Sequence, residues 1–581
     1  MKELLSGNEA IARGAWEHGV TVAAAYPGTP STEILENIAL HPEIAAQWSP
    51  NEKVALEVAI GASLAGARSL AAMKHVGVNV AADPLLTLAY TGVNGGLVLV
   101  SADDPGIHSS QNEQDNRFYG RFARIPVLEP SDSQEAKDFV GVALEMSEQL
   151  DTVVLLRSTT RISHSKSLVT LGERVSRPLR PYVKNARKYV MVPGNARARQ
   201  PEVLARFDRM VVWAESAPVN RVEPGDRRLG IITSGVCYQY VKEARPDVSV
   251  LKLGVTYPLP ANLVREFAKT VDQVAVIEEL EPFLAESVRL AGVEIADTGL
   301  PRIGELSPDI VGAAIARILG EPVDAPFAPP AAVPVRPPVL CPGCPHRGVF
   351  HVLGKLKLRV WGDIGCYTLA ALPPLNAMDA FMDMGASIGM ALGMEKADPA
   401  MAQQSVAVIG DSTFLHSGLT GLLDMVYNQS RGTVLILDNS TTAMTGHQDH
   451  PATGKTLQGA ETYQADLEQV CRGLGVRRVR VVDALDVDAL EVAVREETKQ
   501  PEVSVIIARR ACVLLHRPDG SHVELDVDLC TGCQQCSEPG CPAIRWEEGH
   551  PAFDVGMCDG CGLCVSLCLF DAIKKVEPSR G

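Results

Sequence analysis

Eight of the chain's fourteen cysteines fall between Cys530 and Cys568, spaced as Cys530-x2-Cys533-x2-Cys536-x4-Cys541-Pro542 and Cys558-x2-Cys561-x2-Cys564-x3-Cys568. No other feature narrows the possible folds as much. A secreted miniprotein uses such density for disulfides. This chain has 581 residues, and Met1 to Gly14 lack a basic-then-apolar leader. A reducing compartment and tight local spacing both favour metal ligation, and the expected location is the cytoplasm. Zinc takes its thiolates as two separated pairs, so a triple C-x2-C-x2-C serves it poorly.

Three thiolates two residues apart wrap one corner of a cubane, and in two-cluster folds the fourth comes from the other run. The spacing therefore assigns Cys530, Cys533, Cys536 and Cys568 to one [4Fe–4S] cluster, and Cys541, Cys558, Cys561 and Cys564 to another. Two departures are visible: four residues precede Cys541, and Leu569 stands where a proline is usual. Neither removes a ligand. The tail, 520–581, resembles a bacterial two-cluster ferredoxin domain, which implies electron transfer.

The rest of the chain reads as alternating helices and strands. At roughly 100–200 residues per domain, the length gives about three to five folded units. In the first block, 1–190, Asn8 to His18 reads as a helix and Val20 to Ala25 as a buried strand. The strand stops at Tyr26-Pro27-Gly28-Thr29-Pro30-Ser31, where Ser31 is placed to cap the next helix. Gly96 to Ser101 and Thr152 to Arg157 are further strands. Residues 191–225, rich in Arg and Ala, suggest a helical connector. A second block, 226–320, has strands at Leu229 to Thr233, Val248 to Leu253 and Val274 to Ile277. Seven prolines between Pro322 and Pro338 mark 321–339 as a linker. The third block, 340–515, has strands at Ser405 to Ile409, Thr433 to Leu437 and Val503 to Ala508. Strands separated by helices predict doubly wound parallel sheets, an α/β class.

Charge excludes some partners. With 54 Lys+Arg against 70 Asp+Glu the formal net charge is −16, and such a surface repels phosphate backbones and anionic lipid. No nucleic-acid or membrane role is expected, and no run of 18 apolar residues exists.

The third block carries a second chemical pattern. The strand ending at Ile409 leads into Gly410-Asp411-Ser412-Thr413, and a second strand ends at Asp438-Asn439. The 28 residues from Asp411 to Asn439 make one strand–helix–strand unit, which brings both strand ends to the same carboxyl edge. A carboxylate and an amide oxygen suit Mg²⁺, which shares its shell with phosphates. Backbone N–H groups after Asp411 can cradle a diphosphate. Gly-Asp-Ser alone is most often a turn. Paired with Asp-Asn at this distance it resembles the thiamine-diphosphate motif, which implies Mg²⁺ on Asp411, Asn439 and the Thr441 carbonyl.

Longer strings carry a closer resemblance. These are Tyr26 to Thr32, Asn51-Glu52-Lys53, Lys74 to Asp83, His108 to Asp115, Gly410 to Gly418, and Thr441 to His447. They are similar to the large (alpha) subunits of the indolepyruvate branch of the thiamine-dependent 2-oxoacid:ferredoxin oxidoreductases, across essentially the whole chain. The resemblance implies a pyrimidine-binding domain, a transketolase C-terminal-like domain, a diphosphate-binding domain and a small α+β ferredoxin domain. It implies Glu52 at the thiamine pyrimidine nitrogen, Thr29 near the substrate, and Gly28, Gly365, Gly410, Ser412 and Thr413 around the cofactor. Cys341, Cys344, Cys366 and Cys512 would hold a third [4Fe–4S] cluster, although read singly they are a CxxC and two buried thiols. Cys237 and Cys471 have no partners and are expected to be structural. Lys74, His75, His108, His416 and His447 are pocket candidates, and Lys74 and Arg117 could hold a substrate carboxylate or a CoA phosphate or lie on the surface. A lone histidine is more often a hydrogen-bonded structural one.

The implied reaction is oxidative decarboxylation of an aryl 2-oxoacid, indolepyruvate or phenylpyruvate, with coenzyme A taking the acyl group and electrons leaving singly for ferredoxin. A separate small beta subunit and an α2β2 assembly are implied as well. Pyruvate, 2-oxoglutarate or branched-chain acids are the alternative substrates. A non-catalytic electron-transfer subunit and a non-oxidative thiamine decarboxylase are the alternative roles. Intact Glu52, Asp411 and Asn439 argue against the former, and ferredoxin-like spacing against the latter.

Overall fold

The computed structural model describes residues 1–323, 336–515 and 520–577. Most of the Pro-rich stretch, 324–335, lies outside the described residues. The chain divides into two compact units, 1–332 and 333–581.

The first unit holds a seven-stranded sheet. Its order is Val255–Tyr257, Val127–Leu128, Val154–Thr159, Leu97–Asp103, Arg68–Lys74, Val20–Ala25 and Ala45–Trp48. Every neighbouring pair is parallel except the first. The central strands are buried along their whole length, as near-continuous apolar runs require when helices cover both faces. Val255–Tyr257 comes from the block read as a separate domain and extends the first sheet, so the two blocks share an edge. A four-stranded sheet, Val274–Ile277, Asp226–Ser234, Val248–Leu253 and Arg221–Glu223, and a two-stranded antiparallel ladder, Lys2–Ser6 with Lys166–Thr170, complete the sheets of the unit. The connector is the helix Pro193–Glu215, but its last residues, Arg221–Glu223, pair antiparallel with Val248–Leu253.

The second unit is built on a five-stranded, all-parallel sheet. The order is Arg359–Trp361, Ser405–Gly410, Thr433–Asp438, Ser504–Arg509 and Arg478–Asp483. Apolar clusters fill both faces, one around Phe350, Leu353 and Val408, the other around Ile388, Phe414 and Ile436. The tail adds two antiparallel ladders, His522–Leu525 with Ile573–Val576 and Ile544–Glu547 with His550–Phe553. Its small core includes Val523, Cys536 and Ile573. Among the described residues no helix is long and apolar enough to cross a membrane.

One local expectation fails. Ser31 does not cap Thr32–Ile38: its hydroxyl donates to the Gly28 carbonyl at 2.7 Å, while Gly28 N–H donates to Thr32 Oγ1 at 2.9 Å. The turn closes on itself, which leaves Ser31 in a helical conformation that cannot reach forward.

Candidate active site

Four adjacent strands of the second unit end on one carboxyl edge, and each delivers a residue singled out above. Gly365 and Cys366 follow Arg359–Trp361, Asp411 follows Ser405–Gly410, Asn439 follows Thr433–Asp438, and Cys512 follows Ser504–Arg509. Register places Gly410 opposite Leu437, so Asp411 and Asn439 leave side by side. The Ser440 N–H donates to Asp411 Oδ2 at 2.8 Å and the Ser412 N–H to Oδ1 at 2.8 Å. Asn439 Oδ1 lies 3.4 Å from the Thr441 nitrogen. Asp411, Ser412, Thr413, Asn439 and Thr441 are all buried. Gly410 donates to the Tyr367 hydroxyl at 3.1 Å, and Gly365 to Thr368 Oγ1 at 3.2 Å. Burial, and then the nearby Asp411 charge, raise the Asp438 carboxyl despite its 2.7 Å pair with Arg509. Crowded hard oxygens at a strand edge fit a divalent cation.

The cysteines gather as the spacing assigns them. Cys530, Cys533, Cys536 and Cys568 line one cavity, and Cys541, Cys558, Cys561 and Cys564 line its neighbour. Burial and the neighbouring thiols push Cys561 up to about 11 and Cys564 higher. The third set converges too. Cys344 is pushed up to about 12 by burial, with Arg347 pulling it down and Cys341 and Cys366 adding to the rise. Cys366 is pushed up to about 11 by burial, Cys512 and Cys341. Thiols that raise one another this way suit a cationic centre that discharges all four. As placed, no three His, Cys, Asp or Glu groups among the described residues could hold a single metal ion. The Cys512 N–H donates to the Asn439 carbonyl at 2.9 Å, which ties this set to the Asp411 edge. Cys237 and Cys471 are buried elsewhere.

The first unit repeats the arrangement with other side chains. Gly28 and Thr29, Glu52, Lys74 and Asp104 follow four consecutive parallel strands. Asn51 caps Glu52–Leu64 by accepting the Val54 N–H at 2.9 Å. Glu52 therefore begins the helix, yet it is only 4% exposed, unlike a solvated glutamate in a first helical turn. Its carboxyl lies so close to Gly77 that a Cβ there would sit 2.7 Å from Oε1. Lys74 packs its stem at Gly28 and donates to the Ser109 carbonyl at 2.9 Å. Burial pushes its ammonium down to about 8, against the pull of Asp104 and Glu52. Thr29 accepts from Ser109 Oγ at 3.3 Å.

Family models cover most of these parts. Residues 13–209 match "Pyruvate flavodoxin/ferredoxin oxidoreductase, thiamine diP-bdg", 363–508 match "Thiamine pyrophosphate enzyme, C-terminal TPP binding domain", and 522–569 match "4Fe-4S dicluster domain". The indolepyruvate oxidoreductase subunit IorA of Pyrococcus horikoshii is 41% identical over 99% of this chain and 97% of its own. That of Methanothermobacter marburgensis is 42% identical over 98% and 97%. The chain belongs to the IorA family. A 2-oxoglutarate synthase subunit KorA of Archaeoglobus fulgidus is more distant, 26% identical over 48% of this chain.

As an IorA-family member the chain is a thiamine-diphosphate-dependent oxidoreductase of α/β architecture with a C-terminal iron–sulfur domain. Its histidines divide. His416 is buried beside Asp411 in a π-helical turn and bonds Ser417 Oγ at 2.6 Å; such turns recur at functional sites. His447 Nε2 lies 3.8 Å from Cys512 Sγ. His75 is fully buried after Lys74, its Nε2 3.2 Å from the Asn112 carbonyl. His108 is half-exposed and turns to Glu305 at 3.0 Å, away from the Glu52 group. Arg117 is a correction: it is 1% exposed, and its guanidinium is held by Asp115, Glu278 and the carbonyls of Glu279 and Glu281. Buried in this network, it is not at the surface.

Three residues were missed. Asp363 accepts from Ile364, Gly385 and Ser387 at 2.9, 2.8 and 3.2 Å, and burial pushes it up to about 6. His346, buried against Tyr367, is pushed down to about 4 and stays neutral. His450 takes the Ala452 N–H on Nδ1, which leaves the proton on Nε2, 3.3 Å from Asp411 Oδ2. Asp363 follows a strand end and was legible as such. The histidines approach from loops that have no periodic signal.

Proposed function

We propose that this chain catalyses the oxidative decarboxylation of aryl 2-oxoacids of the indolepyruvate and phenylpyruvate type, transferring the acyl group to coenzyme A and electrons through three [4Fe–4S] clusters to ferredoxin. One observation carries the reading: Cys366, Asp411, Asn439 and Cys512 stand in that order along one sheet edge. A diphosphate and Mg²⁺ site flanked by cluster cysteines is what one-electron oxidation of a thiamine-bound substrate needs.

Bound thiamine supplies the carbon nucleophile and the electron sink for loss of CO₂. The protein's part is to hold and polarise. Asp411, Asn439 and the Thr441 carbonyl would hold Mg²⁺, with His450 Nε2 3.3 Å from Asp411 Oδ2 as an outer neighbour. Glu52, held dry at the start of its helix, shares a proton with the pyrimidine nitrogen. Lys74 is predominantly protonated at pH 7 and sits beside Thr29, where it draws the substrate carboxylate. The two tail cysteine sets and Cys341, Cys344, Cys366 and Cys512 hold the clusters. The relatives' designation as subunits supports a separate small beta subunit in an α2β2 enzyme.

The test is anaerobic viologen reduction by the purified chain with its partner subunit. Indolepyruvate, phenylpyruvate, pyruvate and 2-oxoglutarate are compared, with and without CoA. The expected result is CoA-dependent dye reduction fastest with the aryl acids. Preference for pyruvate or 2-oxoglutarate overturns the substrate, and no reduction with any acid overturns the catalytic reading.

A further inference from the structure

The mechanism above leaves the buried charge of Arg347 unused. Arg347 opens the helix His346–Leu356, three residues after Cys344, and is 3% exposed. A buried cation normally sits against a carboxylate, because desolvation costs several kcal/mol per ion. Arg347 has none. Its guanidinium donates to four main-chain carbonyls: Cys341 at 3.0 Å, Leu340, Pro539 at 2.8 Å and Gly540 at 2.7 Å. Two belong to the Cys341–Cys344 loop. The other two immediately precede Cys541.

The same two loops interlock at a second point. Gly343 and Cys541 line one cavity, and the Gly343 backbone partly offsets the rise that burial imposes on the Cys541 thiol. Gly343 has φ +68°, and a Cβ on it would strike the Asp559 carboxylate at 1.9 Å, so only glycine lets the loops meet. The thiols facing Arg347 are Cys541 first, then Cys344, Cys341 and Cys561. These come from two different cysteine sets.

We propose that Arg347 is the positioning residue of the joint between the Cys341/Cys344/Cys366/Cys512 cluster and the Cys541/Cys558/Cys561/Cys564 cluster, fixing their separation and lending both a shared positive charge. This rests on the three-cluster reading above. Four thiolates around a [4Fe–4S]²⁺ core leave each centre net negative, and one-electron reduction adds another negative charge. A fixed guanidinium between them favours the reduced form of both, since nearby charge and hydrogen bonding set cluster potentials. Arg347 itself neither gains nor loses an electron. The described residues lining the remaining set, Cys530/Cys533/Cys536/Cys568, include no Lys or Arg, and that cluster serves as the internal control.

The experiment compares wild type, Arg347→Lys and Arg347→Gln, each purified with its partner subunit, by iron content and EPR-monitored redox titration. Wild type should hold about twelve irons per chain, four for each cluster. In Arg347→Gln the reduced-to-oxidised ratio of two clusters should fall about tenfold at fixed potential, which is 59 mV for a one-electron couple, while the third stays put. Arg347→Lys, which keeps the charge, should recover most of that shift. Unchanged potentials, or a shift confined to one cluster, with iron intact, overturn the proposal. About eight irons in wild type instead overturns the three-cluster reading on which it stands. If Arg347→Gln loses iron, Arg347→Lys decides. Full iron with near wild-type potentials supports the charge role, and iron loss there too reduces Arg347 to a brace and overturns it.

Discussion

Two buried arginine sites, one in each unit, handle their charge in opposite ways. In the first unit Arg117 forks onto Asp115 and reaches Glu278 at 2.7 Å, and Arg157 binds Asp103 and Glu129, each at 2.6 Å. Burial opposes these charges, but Asp115 still ends below its usual range because Arg117 and Arg157 face it. The network is closed in charge: cations and carboxylates answer one another inside the fold, although Arg157 Nη2 and Glu129 Oε1 find no hydrogen-bond partner among the described residues. Arg347 in the second unit is answered by carbonyls and thiols only. A closed network stabilises a shape, whereas an open one waits for charge that comes with metal.

The largest effect expected from this contrast is at Arg117. Arg117→Met leaves Asp115 and Glu278 buried without their cation, which costs about 3–5 kcal/mol. Denaturant unfolding should show the same loss in iron-loaded and chelator-treated protein. A cost that depends on iron would break the comparison, because it would make the first network an open one as well.

Lys74 sharpens the comparison as the exception within the first unit. It is buried without a hydrogen-bonded carboxylate, donating only to the Ser109 carbonyl, and burial pushes it from 10.5 to about 8. The folded state therefore resists the charge that the unfolded chain carries freely. Below pH 8 the full cost of about 3 kcal/mol applies, at 1.36 kcal/mol per pKa unit. It fades from pH 8 to 10.5 and is gone above. Lys74→Met should accordingly raise the unfolding midpoint at pH 7 and converge with wild type near pH 10.5, while lowering turnover. Equal stability at pH 7 would place Lys74 in the closed class.

A smaller effect is expected beside Glu52. Alanine at Gly77 puts a Cβ 2.7 Å from Glu52 Oε1, and the carboxyl must shift by several tenths of an ångström. Gly77→Ala should lower kcat about tenfold, since displacing a proton-sharing group erodes a contribution of 10²–10⁴, with little change in unfolding. Retained kcat would show that Glu52 tolerates displacement.

Much of the fold was legible in the sequence. Val20–Ala25, Val248–Leu253 and Val274–Ile277 are strands at the expected residues, because unbroken β-branched and aliphatic runs leave little alternative. Strand ends elsewhere moved by a residue or two, as at Leu97–Asp103 and Val154–Thr159. The grouping of Cys530, Cys533, Cys536 and Cys568 followed from spacing, since three thiolates two residues apart have one corner to wrap. The Ser31 cap failed because a nearer acceptor, the Gly28 carbonyl, took its hydroxyl. Arg117 was misread because its partners Glu278 and Glu281 lie more than 160 residues away.

Local pattern by itself singled out the candidate residues: the cysteine runs, the Asp411 and Asn439 strand ends, and the apolar strands that present them. Those depend on spacings of a few residues or on one strand–helix–strand unit, and short-range geometry settles them. Only the tertiary structure decided which charges are answered. Whether a buried guanidinium meets a carboxylate, as Arg117 does, or a loop of carbonyls beside two cysteine sets, as Arg347 does, depends on segments brought together from far apart in the chain, and solvation there is a property of the packed environment.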